Sequence, residues 1–130
     1  MNVFAPFELT RALLPLLCKG GADVVFLNSS AVQSPHAELA AYGASKHALR
    51  GLADALRAEL NPHGVRLLTI YPGRTATPMQ AEVFRMEKRA YQPEKLLQPK
   101  AIADLIACAV TLTRSAEVSE IFVRPMQKLL

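Results

Sequence analysis

The sequence predicts an α/β fold in which a parallel sheet is flanked by helices, and two patterns carry that prediction. Segments with apolar residues at helical spacing alternate along the chain with short, continuous apolar runs. Such runs are typical of strands that are buried on both faces of a sheet. Helices that alternate with strands build a parallel sheet through right-handed crossovers, which makes a layered, Rossmann-like architecture the expected fold.

The first half of the chain is predicted to hold two helices and one strand. Residues 2–18 carry leucines at helical spacing, and Gly20-Gly21 is expected to stop that helix. Pro15 is expected to kink the last turn or to end the helix there. Residues 24–27 form a short apolar run, which predicts a buried strand. The polar residues 28–38 predict a loop, and a leucine stripe over residues 40–60 predicts the clearest helix.

The second half is predicted to add two strands and a further helix. The alternating pattern of residues 65–71 predicts a second buried strand, and a Pro-Gly pair ends that strand abruptly. Residues 74–100 indicate a mixed insertion with helical stretches, and Pro99 opens the next helix. The last strand is expected at residues 121–123.

Three strands make a thin sheet, and the first predicted element is a helix rather than a strand. We therefore expect residues 1–130 to form one partial domain, the C-terminal piece of a larger domain that supplies the other strands.

Composition narrows the class of protein. The chain has 130 residues, of which 51% are hydrophobic and 20% charged, which excludes a disordered protein. The apolar runs are shorter than a membrane span needs. Two cysteines, Cys18 and Cys108, cannot build a disulfide framework, so a reducing, cytoplasmic compartment is expected.

The net charge of +4 arises in one part of the chain. Residues 61–100 hold seven basic and three acidic side chains, with no regular interleaving of aromatic residues. This pattern favours a solvated surface, and we expect neither a nucleic acid nor a membrane as partner.

The three histidines do not indicate a metal site. His36, His47 and His63 show no ligand spacing and have no cysteine partner. We expect surface or turn histidines and no bound metal.

Polar residues follow the first two predicted strands, at positions 28–30 and 72–77. Ligands of open α/β sheets bind beyond the carboxyl ends of the strands. Tyr42 and Lys46 stand four residues apart near the start of the intervening helix, which predicts that they share one face. An ammonium beside a phenol stabilises the phenolate, so Tyr42 is a candidate general acid/base.

Four motifs, in this order and near this spacing, resemble the short-chain dehydrogenase/reductase family over essentially all 130 residues. They are Asn2-Val3-Phe4-Ala5-Pro6, Asn28-Ser29-Ser30-Ala31, Tyr42-Gly43-Ala44-Ser45-Lys46 and residues 71–79. The resemblance implies an oxidoreductase that uses NAD or NADP to interconvert an alcohol and a carbonyl in a small-molecule substrate.

The resemblance also implies roles for individual residues. Tyr42 matches the acid/base, and Lys46 matches the lysine that tunes it and binds the nicotinamide ribose; both Tyr42 and Lys46 are expected to contact the cofactor. Ser30 matches the serine that hydrogen-bonds the substrate oxygen, and Asn2 matches the asparagine of the proton relay. The segment that contacts the nicotinamide is matched by Pro72, Gly73, Thr75 and Thr77. Residues 73–100 match the region that surrounds the substrate.

The interval between serine and tyrosine departs from the family pattern by one residue. Counting back from Tyr42 selects Ser29, whereas the pattern at the strand end selects Ser30. We favour Ser30, because a one-residue deletion in the loop between them is easily accommodated.

A larger departure is the absence of the family's glycine-rich turn, which cradles the pyrophosphate of the dinucleotide. The residues that choose between NAD and NADP are absent with it. The alternative prediction is therefore a truncated, non-catalytic fragment that acts as an interaction or oligomerisation module. By resemblance, a homo-oligomer would form through helices 2–18 and 40–60.

Overall fold

The computed structural model describes residues 2–34, 37 and 39–127. Pro35, His36 and Glu38, which belong to the predicted loop, lie outside the described residues. The helices and strands, in chain order, are α1 (Phe4–Gly20), β1 (Asp23–Leu27), α2 (Ala40–Leu60), β2 (Arg66–Pro72), α3 (Pro78–Met86), α4 (Pro99–Val110) and β3 (Glu120–Val123). Short 3₁₀ turns occupy Ser30–Val32, Asn61–His63 and Pro93–Lys95.

The three strands form one parallel sheet in the order β1-β2-β3. Asp23 is paired in register with Arg66 on one side of the sheet, and Thr69 with Glu120 on the other. Each connection between neighbouring strands carries at least one helix, as parallel pairing requires. The predicted α/β class, with three parallel strands and flanking helices, is confirmed.

The core lies between α2 and the central strand. Residues 66–71 of β2 are all buried, since β2 has a neighbouring strand on each edge. The buried side chains of α2 follow the predicted leucine stripe at helical spacing. They are Leu49, Ala53, Leu56 and Leu60, and they pack with Phe26, Val65 and Leu67.

Helix α1 ends where the Gly20-Gly21 pair predicts, and the alternative ending at Pro15 is wrong. It continues through Pro15 to Gly20, where Gly21 takes the left-handed conformation (φ 63°) that closes many helices. Leu14 and Leu17, on either side of Pro15, pack against the core, and these contacts hold the last turn in place.

Neither α1 nor any other helix of the described residues is long and apolar enough to cross a membrane.

The basic segment contains one residue that is not on a solvated surface. The Arg66 side chain is only 9% exposed and donates two hydrogen bonds to the Asp23 carboxylate, at 2.7 and 3.2 Å. It also donates to the backbone carbonyls of Val110, Leu112, Thr113 and Ala116. Arg66 therefore satisfies carbonyls at the end of α4, which helices leave without intrahelical partners. The expectation that this segment is solvated is wrong at Arg66.

Candidate active site

Tyr42 and Lys46 lie on the same face of α2, as their spacing predicts. The Lys46 ammonium is 5.8 Å from the centre of the Tyr42 ring. Its Nζ donates a hydrogen bond of 3.4 Å to the carbonyl oxygen of Leu27, the last residue of β1. The lysine is half-buried, and this burial lowers its pKa from the ordinary value. Tyr42 is 39% exposed and therefore accessible to a ligand.

Strand geometry explains why a carbonyl is available to Lys46. The N–H of Asn28 donates to Ile70 on β2, and the carbonyl of Ala22 accepts from Arg66. Because hydrogen-bonding direction alternates along a parallel strand, Val24 and Phe26 also face β2. Val25 and Leu27 therefore direct their backbone groups to the other edge of β1, which no strand of the described residues covers.

A chain of hydrogen bonds joins Asn2 to the same turn of α2. The Asn2 Nδ2 donates to the Ser45 hydroxyl at 3.0 Å, and that hydroxyl donates to the Tyr42 carbonyl at 2.7 Å. The start of α1 is thereby tied to the turn that carries the tyrosine and the lysine. The motif Tyr42-Gly43-Ala44-Ser45-Lys46 gives Ser45 no role of its own, because this contact depends on where α1 packs.

The two candidate serines follow β1 and differ in their contacts. The Ser29 hydroxyl accepts a hydrogen bond of 3.2 Å from the N–H of Ala31, so it caps the 3₁₀ turn that Ser30 begins. Both serines are half-buried. Within the described part of the chain, no side-chain hydrogen bond joins Ser30 to Tyr42 or Lys46. The choice between Ser29 and Ser30 stays a prediction.

The segment after β2 is fixed by hydrogen bonds of its own. Gly73 donates its N–H to Val123 at 2.8 Å, and a Cβ atom at Gly73 would lie 3.1 Å from Pro125. The Thr75 hydroxyl donates to the Gly73 carbonyl at 2.9 Å. Thr77 caps α3 by accepting from the N–H of Gln80 at 3.2 Å. Thr77 is followed by Pro78 at the start of α3, and this order of residues favours the beginning of a helix.

Arg74, in the same segment, is bound to the C-terminal end of α3. Its guanidinium makes two hydrogen bonds with the Glu87 carboxylate, at 2.7 and 2.8 Å, and lies over the Phe84 ring. The hydrogen bonds from Arg74 lower the pKa of Glu87. Phe84 is buried, so this contact anchors residues 78–86 beside the carboxyl end of β2.

A largely apolar groove of about 650 Å³ lies between α1 and β1, and Lys46 and Leu49 of α2 also line it. Leu9 and Leu13 line it from the helix, and Val25 and Leu27 from the strand. The groove therefore lies along the uncovered edge of the sheet and includes Lys46 of the candidate acid/base pair.

No group of three or more histidine, cysteine or acidic side chains within the described ranges could hold a metal ion. The ring Nδ1 of His47 lies 2.9 Å from the carbonyl of Gly43 on its own helix, and His63 is exposed in a 3₁₀ turn. His36 lies outside the described residues.

Comparison with known proteins gives a consistent result. The family model described as "short chain dehydrogenase" matches residues 1–88. The 11-beta-hydroxysteroid dehydrogenase type 2 of Oryctolagus cuniculus is 43% identical over 89 residues, which cover 68% of this chain and 22% of that protein. The uncharacterized oxidoreductase YciK of Escherichia coli (strain K12) is 42% identical over 106 residues, which cover 81% of this chain and 40% of that protein.

Among solved structures, a putative short chain dehydrogenase from Escherichia coli CFT073, complexed with NADPH, is similar with a TM-score of 0.79 and 36% identity. The match covers 93% of this chain and 49% of that one. The chain thus spans between 22% and 49% of the length of these three proteins.

Proposed function

Because this chain belongs to the short-chain dehydrogenase family, we propose that it carries the acid–base residues of an oxidoreductase that interconverts an alcohol and a carbonyl. The proposed cofactor is a nicotinamide dinucleotide, NAD or NADP, and the proposed substrate is a small molecule. The observation that carries the proposal is the Tyr42–Lys46 pair on one face of α2, with the ammonium at the carboxyl end of β1.

The chemistry of the exposed donors fits the ribose end of such a cofactor. An ammonium has three N–H donors, and Lys46 gives one to Leu27, so two are available to vicinal hydroxyl groups. The phenol of Tyr42 is accessible beside them. The six glycines, in contrast, form no cluster of the kind that holds a pyrophosphate. The fit therefore covers the nicotinamide riboside and not the adenosine diphosphate.

The bound dinucleotide would supply or accept the hydride. In this proposal Tyr42 exchanges the proton with the substrate oxygen, and Lys46 orients the ribose and stabilises the phenolate. Ser30 hydrogen-bonds the substrate oxygen, and Asn2 completes the proton relay. The nicotinamide contacts are proposed for Pro72, Gly73, Thr75 and Thr77.

Further features of the proposal concern the whole molecule. We propose that residues 1–130 form a single partial domain, in which residues 73–100 surround the substrate, and that copies associate through α1 and α2. Neither a nucleic acid nor a membrane is a proposed partner. Cys18 and Cys108 are both exposed and unpaired, which supports a reducing, cytoplasmic compartment.

Binding of NADH and NADPH to the purified 130-residue chain tests the proposal, with cofactor fluorescence as the readout. We expect saturable binding that weakens at least about tenfold in Lys46→Met, since two ribose hydrogen bonds are lost. The matched control is Lys100→Met, because Lys100 lies on α4 and pairs with Asp104. Tyr42→Phe should keep the binding and lose turnover by about 10²–10⁴.

A folded chain that binds neither dinucleotide at millimolar concentration would overturn this proposal. The second candidate function, an interaction module, would then be favoured. One observation supports it: the described residues leave one edge of β1 uncovered and expose Phe4, Leu9 and Leu16 on α1. Since copies are proposed to associate in either case, the expected signature of this function is a stable dimer in multi-angle light scattering that binds neither dinucleotide.

A further inference from the structure

Asn28 is a buried polar residue next to the proposed site that none of the proposed roles uses. It follows β1 directly and is only 6% exposed. Its backbone N–H donates to Ile70 at 2.8 Å, which fixes its main chain to the central strand. Its side-chain Nδ2 donates to the backbone carbonyl of Lys46 at 3.1 Å.

Lys46 is consequently held at both ends by two consecutive residues of one strand end. Asn28 binds its main-chain carbonyl, and the carbonyl of Leu27 accepts from its ammonium. Since Leu27 and Asn28 are rigidly connected, the ammonium of Lys46 is fixed relative to its own helix turn. Neither contact alone would define the position of a long, flexible side chain.

The polarity of Asn28 at this depth is itself informative. Burying an amide costs free energy unless its groups are hydrogen-bonded, and Asn28 Oδ1 has no partner among the residues that the structure describes. An apolar side chain of similar size would avoid that cost at a position that serves packing alone. The contribution of Asn28 is therefore its one directed hydrogen bond to Lys46.

We infer that Asn28 is a positioning residue for Lys46, holding the helix turn that presents the ammonium to the ribose-binding position. This inference rests on the proposed function for the chemistry that Lys46 performs. It does not rest on it for the geometry, which can be measured on the chain without any ligand.

The test follows the ammonium of Lys46 by NMR in chain labelled with ¹³C and ¹⁵N at lysine. The groups that face this ammonium are the Tyr42 ring and the Leu27 carbonyl, and the Asp23 carboxylate in the same groove is bound by Arg66 and Arg114. In the wild type, burial should hold the pKa of Lys46 below the ordinary lysine value. In Asn28→Ala, its titration midpoint should rise toward that ordinary value.

The matched control is Asn61→Ala, at the other end of α2, where the asparagine amide donates to Glu117 at 3.1 Å. This control should leave the Lys46 midpoint unchanged. Asn28→Asp keeps the shape of the side chain but replaces the N–H donor by an acceptor. It should change the NMR signal of the Lys46 ammonium, as Asn28→Ala does. A Lys46 signal that is identical in the wild type and in folded Asn28→Ala would overturn the inference.

A measurement on the wild type covers the case in which both variants fail to fold. One side-chain amide proton of Asn28 should exchange with solvent at least about tenfold more slowly than those of Asn61, which is exposed. Equal exchange rates would contradict the inference. Failure of dinucleotide binding with a confirmed shift of Lys46 would instead overturn the proposed function and leave the positioning role intact.

Discussion

Helices α1 and α2 flank the same sheet, and both carry leucines at helical spacing, yet they are buried to very different degrees. Helix α2 buries four side chains against β1 and β2, whereas Thr10 is the one buried residue among those of α1, all of which the structure describes. The exposed face of α1 adjoins the edge of β1 that no strand of the described residues covers. Apolar periodicity thus predicts a helix and the face it will bury, but not the molecule or segment that covers that face.

The largest effect should come from proline substitutions on the two edges of β1. Val24 directs its N–H to β2, so Val24→Pro breaks the ladder beside the core and should prevent cooperative folding. Val25 directs its N–H to the uncovered edge, so Val25→Pro should retain a folded chain. Circular dichroism during urea unfolding measures both.

Equal damage by the two substitutions would contradict this difference between the edges. It would mean that the outer edge of β1 is paired in solution, for example with a second copy of the chain. Light scattering of the wild type would then identify that copy.

The second comparison is between substitutions of one leucine on each helix. Leu56 on α2 is 6% exposed, and Leu56→Ala should lower the free energy of unfolding by about 2–5 kcal/mol, because it leaves a cavity in the core. Leu16 on α1 is 66% exposed, and Leu16→Ala should change it by less than about 0.5 kcal/mol. Urea unfolding at several protein concentrations gives both values. A large cost at Leu16 would show that its face is covered by another molecule.

The sequence predicted α2 and β2, which form the core, more completely than the polar contacts between elements. The helix over residues 40–60 and the strand that follows it were predicted nearly to the residue, since both are defined by local periodicity. Arg66 was interpreted as a surface residue, because its partners at the end of α4 are more than 40 positions away along the chain. Asn28 and Ser45 were missed for the same reason: each bonds a group that only tertiary packing brings near.

Within the candidate site, the relation between Tyr42 and Lys46 could be predicted because one helix carries both residues. The anchoring of that turn could not be predicted, because it needs three separate elements. Asn2 reaches it from α1, Asn28 from the end of β1, and the carbonyl of Leu27 from the edge of the sheet. The spacing of residues along the chain does not predict contacts between separate elements.

The Asp23 carboxylate at the start of β1 pairs with Arg66 and Arg114, and acid should break these ion pairs. The hydrogen bond from Arg66 holds the pKa of Asp23 below its usual value, and the charges of Arg66 and Arg114 add to this. A lowered pKa in the folded state stabilises the fold above the unfolded-state pKa of about 3.9. This contribution is lost as the pH falls through the lower folded-state pKa.

Asp23→Asn should therefore lower the free energy of unfolding by about 1.5–3 kcal/mol at neutral pH, the range for hydrogen bonds to charged groups. The difference from the wild type should shrink below about pH 4. Urea unfolding across this pH range measures it. Asp104→Asn is the matched control, because its pair with Lys100 is exposed and should contribute less than about 1 kcal/mol at any pH. A difference that did not change with pH would show that Asp23 acts through its shape rather than its charge.

The smallest effect distinguishes the two serines at the other end of β1. Ser29 caps a 3₁₀ turn through its hydroxyl, so Ser29→Ala should lower the free energy of unfolding by about 0.5–1 kcal/mol. Ser30→Ala removes no hydrogen bond to Tyr42 or Lys46 and should leave the stability within about 0.5 kcal/mol. If Ser30 binds the substrate oxygen, Ser30→Ala should in addition abolish turnover in a chain that binds the dinucleotide. In the opposite pattern, Ser30→Ala would lower the stability and Ser29→Ala would abolish turnover. That result would transfer the proposed role to Ser29, because the hydroxyl that caps the turn has less capacity to bind a substrate.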